Sequence, residues 1–220
     1  AILIQTPGGN VILINGSEHS NLLAGFLDQR LSPFHRQVDG LIVTDTSATA
    51  LSGLSGVVEH LPVDQICWGA AVPTDWSLRR LETTTRQQSG GSQLLAADQA
   101  WALDKDVSLH VLVDDDDGTA LLLEYAGFRA LIPGGVALET LQAQAADELQ
   151  GVDVLILDDG DIESTSVRSW ERLAVPVVLW NEMNSPTPIS RWVGTDTNGW
   201  IHVSSDGSQM QISVQNGPIR

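Results

Sequence analysis

Apolar residues along the chain gather in short runs separated by small, polar or acidic loops, and the runs follow a definite order. "AILIQT" and "VILING" are two apolar strands about a "PGGN" turn, whose Pro and Gly supply turn chemistry, so the first 16 residues predict a β-hairpin. Leu22, Leu23, Phe26, Leu27 and Leu31 then recur at helical spacing. "VDGLIVTDT" from Val38 predicts a buried strand running into an acidic loop. Leu51, Leu54, Val57, Val58 and Leu61 predict a helix running to His60, and "QICWG" predicts another strand.

From Thr119 the same order returns. "TALLLEYAGFRALIPGG" is a second hairpin, Leu138, Leu141, Ala145 and Leu149 are a second helical pattern, and "VDVLILDDG" is a second strand introduced by Val-Asp and ending in an acidic loop. A helix over roughly Ser164–Leu173 and the strand "VPVVLWN" complete the parallel. Duplication of this kind implies two similar layers packed face to face, and central strands this apolar need cover on both sides. The expected fold is therefore α/β, a four-layer αββα sandwich of two pseudo-symmetric halves. The first half spans about 1–71 and the second about 107–220, joined by an irregular connection over about 72–106 that carries one helix around Trp76–Thr84. "NEMNSPTPIS" predicts a loop, and "GWIHVSSDGSQMQISV" a closing hairpin about Ser-Asp-Gly-Ser.

With 220 residues and 42% hydrophobic content the chain is long enough for one substantial core and short for two ordinary domains, so a single domain is expected. Its formal net charge of −17 opposes sequence-independent binding to nucleic acid, which relies on Lys and Arg neutralising phosphates. An anionic membrane surface would repel it too. The single cysteine, Cys67, excludes an intramolecular disulfide and a cysteine-based zinc site, and its apolar setting predicts a buried thiol. No run approaches bilayer length and no basic leader opens the chain. The chain begins without methionine, directly inside a strand pattern, from which we expect a soluble piece of something larger.

The order "AILIQTPGGNVILING", "VDGLIVT", "GLSGVV", "LLLEYAGFRALIPGG", "VDVLIL" and "TDTNGWIHVSSDG" resembles the metallo-β-lactamase-fold domain at the carboxyl end of ComEC-type competence proteins, polytopic membrane proteins of bacterial DNA uptake. The resemblance covers nearly the whole chain and rests on order and spacing. Active members carry Thr-His-x-His-x-Asp-His after the strand corresponding to Leu41–Val43, because divalent metals of borderline softness take imidazoles and a carboxylate converging from one loop. Here Thr44 is kept, whereas Asp45 and Ser47 stand at the first two His positions, Thr49 at the Asp and Ala50 at the last His. The metal-bridging aspartate falls on Gly135, the His-His-Gly-Ser loop on Asp158, Asp159, Gly160 and Asp161, and the first-hairpin aspartate on Asn15. The late His-Pro loop falls near "NSPTP", with Ser185 or Thr187 in place of the histidine. The resemblance thus implies a metal loop that has kept its backbone and lost its ligands, with no catalytic or metal residue and no cofactor. Asn15, Asp45, Ser47, Thr49, Ala50, Gly135, Asp158 and Asp159 mark where the centre would have been.

His19, His35, His60, His110 and His202 show none of the short spacings that local metal motifs use. "VDDDDGT" places Asp115, Asp117, Gly118 and Glu124 at calcium-loop spacing, but with Val113 at the first position and strands on both flanks an acidic turn is the better account. No Gly-x-Ser-x-Gly elbow is present. Trp68, Trp180 and Trp200, at strand ends, suit core or rim packing, or a groove for an extended ligand.

Three functions compete. The first is a non-catalytic scaffold or docking domain of a ComEC-like membrane protein in DNA uptake, placed by the resemblance on the extracytoplasmic side and partnered by its parent protein or the competence machinery. The second is a nuclease or phosphodiesterase in which Asp45, Asp158 and Asp159 hold Mg²⁺, Mn²⁺ or Ca²⁺. The third is a protein- or glycan-binding module unrelated to DNA. The motif losses favour the first.

Overall fold

A computed structural model describes residues 1–17, 20–44, 48–69, 83, 91–116, 118–158, 161, 167–180, 192–195 and 199–215. The chain divides into two compact units, Ala1–Ala96 and Ala97–Arg220. No helix among the described residues is long and apolar enough to cross a membrane.

The first unit is a sheet of strands β1 (Ile2–Gln5), β2 (Val11–Ile14), β3 (Gly40–Val43), β4 (Gln65–Trp68) and β5 (Gly91–Leu94), in that order. The first pair is antiparallel, the predicted hairpin; the other three pairings are parallel. Helices α1 (Ser20–Arg30) and α2 (Ala48–His60) supply the crossovers from β2 to β3 and from β3 to β4 that parallel pairing requires. Side chains alternate across a strand, so Val11, Leu13, Leu41, Val43, Ile66 and Trp68 share one face. They pack with Leu23, Leu27 and Leu31 of the first helical stripe and with Leu51, Leu54, Val57, Val58 and Leu61 of the second. Ile12, Ile14, Ile42 and Cys67 alternate with them and are buried as well, which is why these strands read as unbroken apolar runs.

The second unit contains a seven-stranded sheet in the order β12-β11-β10-β9-β8-β7-β6. These are β6 (Ala100–Asp104), β7 (Val107–Asp114), β8 (Thr119–Tyr125), β9 (Phe128–Ile132), β10 (Val154–Leu157), β11 (Val177–Trp180) and β12 (Trp192–Gly194). From β8 to β12 the pairing is antiparallel once and then parallel three times, the same succession as β1 to β5. Helices α3 (Leu138–Gln144) and α4 (Val167–Glu171) are its described helices of five or more residues. Leu122, Leu131, Leu155 and Val178 lie in register across the sheet and pack with Leu138, Leu141 and Trp170. Ala130, Val154, Leu179 and Val193 face the other way, against the hairpin of β13 (Ile201–Ser205) and β14 (Met210–Val214). The turn of that hairpin docks on the turn between β8 and β9: Gly127 N–H donates to the Gly207 carbonyl at 2.9 Å. Gly207 sits at φ 88°, and a Cβ there would lie 2.6 Å from that of Ala126.

The repeat has a chemical signature. Asp39 donates its N–H to the Val11 carbonyl and accepts the Val11 N–H on Oδ2, at 2.8 and 2.6 Å. Asp153 does the same with Arg129, both bonds at 2.9 Å. The recurrent Val-Asp is therefore a clamp at the amino end of each unit's central parallel pair.

Two expectations need correction, and a third falls outside the described residues. The stretch 72–106 is not wholly irregular, because β5 belongs to the first sheet and β6 to the second, so the units meet at 96/97. "GSQL" is polar and largely exposed, which left an edge strand without an apolar signal. The helix expected around Trp76–Thr84 lies outside the described residues apart from Thr83. The helical pattern ending at Leu149 outlasts its helix: Ala145 leaves helical geometry at φ −137°, and Leu149 reaches the same core from the turns that follow.

Candidate functional site

In the first unit, the carboxyl ends of β2 and β3 bring Asn15 and Thr44 together. Asn15 Nδ2 donates to Thr44 Oγ1 at 2.7 Å, and Asn15 Oδ1 accepts the Thr44 N–H at 2.8 Å. The backbone helps, since Asn15 N–H also donates to the Ile42 carbonyl at 2.9 Å. Asn15 lies in the left-handed region at φ 55°, where Asn is tolerated better than most residues. Ser17, two residues on, is pressed against α2: a Cβ on Gly53 would lie 2.2 Å from the Ser17 carbonyl oxygen. Thr49 and Ala50 fall in the first turn of α2, whereas Asp45 and Ser47 lie outside the described residues.

In the second unit the corresponding edge is organised by Asp161, which is 1% exposed. Its Oδ1 accepts the Gly135 N–H at 2.8 Å and its Oδ2 the Asp158 N–H at 2.9 Å. Asp158 Oδ1 in turn accepts the Asp161 N–H at 3.1 Å. This reciprocal pair has the bonding of a capping box, with an acidic residue at each end of a four-residue span. The Asp161 carbonyl accepts the Trp170 indole N–H at 3.2 Å. Gly135, at φ 92°, needs a backbone conformation that side chains resist. Gly134 is crowded as well, because a Cβ on Gly118 would lie 2.1 Å from the Gly134 carbonyl oxygen, which accepts the Thr119 N–H.

Burial and then the charge of the Asp158 carboxylate push the Asp161 carboxyl group well above the ordinary aspartate range, against the pull of the two backbone N–H bonds. At the opposite end of the first unit, burial also opposes ionisation of Asp39. Bonds from Gln37, Val11 and His35 outweigh it and hold that carboxyl group below its usual value.

The structure thus brings Asn15 to Thr44 and joins Gly135 to Asp158 through Asp161, which the sequence reading placed in this loop but not among the site positions. Its signal was present in the Asp-x-x-Asp of "DDGD" ahead of a helical pattern. Asp159 lies outside the described residues, so the cluster imagined from Asp45, Asp158 and Asp159 has only Asp158 within them. Among the described residues no group of three or more His, Cys, Asp or Glu side chains is placed to hold a metal ion. Among the described residues, the polar groups at these strand ends are engaged with the chain itself: both amide atoms of Asn15 bond Thr44, both Asp161 oxygens accept backbone N–H groups, and Gly135 has no side chain.

The described histidines His35, His60 and His110 are bonded elsewhere, and His19 lies outside the described residues. His35 bonds Asp39 at 3.2 Å, His60 Nδ1 bonds the Gly56 carbonyl at the end of α2, and His110 lies 3.1 Å from Glu124, which also accepts from Arg129. Ser108 Oγ and Glu124 approach the same His110 nitrogen, Nε2, so the imidazole cannot relay a proton from one to the other through its two ring nitrogens. Cys67 is buried, and burial raises its thiol pKa. Trp68 and Trp180 are core residues, the latter edge-on to Trp192 at 5.5 Å, while Trp200 stands half-buried ahead of β13. The segment "NSPTP" lies outside the described residues.

No family model and no curated relative matches the sequence. Solved structures do match the fold. Zn²⁺-bound PqqB from Methylobacterium extorquens, 15% identical, aligns over 81% of this chain and 74% of its own with a TM-score of 0.59. The metallo-β-lactamase fold protein YhfI from Bacillus subtilis, 12% identical, aligns over 81% and 76% with a TM-score of 0.54. The chain has a metallo-β-lactamase-like fold.

Proposed function

We propose that this metallo-β-lactamase-fold chain works without metal chemistry, as a scaffold or docking domain of a ComEC-like membrane competence protein on the extracytoplasmic side. The observation that carries the proposal is how the polar groups at the strand ends are used. Asn15 is bonded to Thr44, and Asp161 to Gly135 and Asp158, so both described loop pairs are held by the chain's own atoms. A catalytic centre in this fold asks instead for imidazoles and carboxylates left open toward a cation. The order of strands and loops supports the ComEC-like assignment. The net charge of −17 favours a protein partner, such as other parts of the parent protein, over direct contact with DNA.

Metal content and turnover test this reading. The purified chain is expected to carry substoichiometric zinc and manganese, to melt at an unchanged temperature in millimolar Mg²⁺, Mn²⁺ or Ca²⁺, and to leave single-stranded DNA and a model phosphodiester intact. Stoichiometric metal together with Mn²⁺-dependent cleavage would replace it with the carboxylate-site nuclease.

A further inference from the structure

We infer that the Asp161 carboxyl group does in the second unit the cross-linking that a bound cation does where this fold holds one: it ties the loop after β9 to the loop after β10. The inference rests on the reading above that no metal occupies this edge, and it adds what holds the edge in its place. A metal joins loops by accepting electron pairs from side chains of both, and metal binding is then coupled to folding. A buried carboxyl group can join them with the opposite polarity, by accepting backbone N–H groups of both.

Asp161 has the placement for this. One oxygen takes Gly135 N–H from the loop after β9, the other takes Asp158 N–H at the end of β10, and its own carbonyl is fixed by the Trp170 indole in α4. A capping box accounts for the bonds within Asp158–Asp161. It does not account for the bond to Gly135, 26 residues away in sequence, which turns a local helix-start device into a link between two loops. Gly135 donates this bond from a backbone at φ 92°, which side chains resist, and Gly118 makes room for the neighbouring Gly134.

Backbone amide exchange in metal-free protein tests the link apart from the function. In Asp161→Ala the Gly135 amide is expected to exchange about tenfold faster, the equivalent of one hydrogen bond to a charged or polar acceptor. In Asp158→Ala, which removes one leg of the capping box only, the Gly135 amide is expected to keep its protection. Asp161→Asn, in which one side presents an NH₂ to a backbone donor, is expected to fall between them and serves if the alanine variant does not fold. Unchanged Gly135 exchange in Asp161→Ala, or in Asp161→Asn if that variant must be used, overturns the inference. So does equal loss of Gly135 protection in Asp158→Ala, which would make the capping box sufficient. If the inference holds but zinc co-purifies stoichiometrically and chelation speeds Gly135 exchange in the wild type, the reading of a metal-free edge fails instead.

Discussion

At the carboxyl ends of β2 and β3 two loops are joined by a neutral amide, and at the carboxyl ends of β9 and β10 two loops are joined by a carboxyl group. The task is the same and the chemistry differs. Asn15 carries both a donor and an acceptor, so it satisfies Thr44 at any pH with one side chain. Asp161 carries two acceptors when ionised, which suits two N–H groups, but it is buried beside another carboxylate and resists the charge. The first link is insensitive to protons and the second is not. At the amino ends, by contrast, the two units use one device, the Asp39 and Asp153 clamps.

The largest effects should come from filling the tight approaches behind the two links. Gly53→Ala and Gly118→Ala each place a methyl group against backbone oxygen, and each is expected to cost about 3 kcal/mol in urea unfolding. A cost in only one of them would show that the two edges are not equally rigid. Next, Asn15→Ala leaves Thr44 with two lost partners and puts Ala in the left-handed region, for about 2 kcal/mol.

The proton dependence separates the links more directly. Because Asp161 titrates above its unfolded value, its contribution is fully present below pH 3.8 and is lost as the pH rises through the raised folded value. Stability measured by denaturation in steps from about pH 4 upward should therefore fall more in the wild type than in Asp161→Asn. Asn15→Asp should add a new slope to the first unit. Asp39 has the opposite sign: its folded value lies below 3.8, so its contribution is present above that pH and is lost as the pH falls through the folded value. The smallest effects, about 1 kcal/mol each at neutral pH, are expected for Asp39→Asn and Asp153→Asn. Similar values in the two would confirm the shared clamp.

Much of this was legible because it is carried by periodicity. The hairpins, the strands introduced by Val-Asp and the stripes of α1 and α2 all announce themselves, since a residue buried on a strand or helix face must be apolar at a fixed interval. The polar edge strand β5 does not, because nothing about "GSQL" needs a core. The links divide in the same way. The Val-Asp repeat was visible as a repeat, while its bonding was not. Asp161 reads in one dimension as one more acidic loop residue, and only the approach of Gly135 shows that its carboxyl group is spent on backbone. The positions of the metal loop were read through a resemblance, and the described strand ends show how Asn15 and Asp161 are bonded.

The closing hairpin joins neither sheet through strand pairing; it lies over Ala130, Val154, Leu179 and Val193 and is latched at Gly127 and Gly207. A chain stopped ahead of Trp200 would therefore keep every rung of both ladders while losing Ile201, Val203, Met210 and Val214 from the cover of Ala130, Val154, Leu179 and Val193. Such a chain would still give a folded spectrum and yet precipitate as it is concentrated, because the hairpin keeps an apolar sheet face from water.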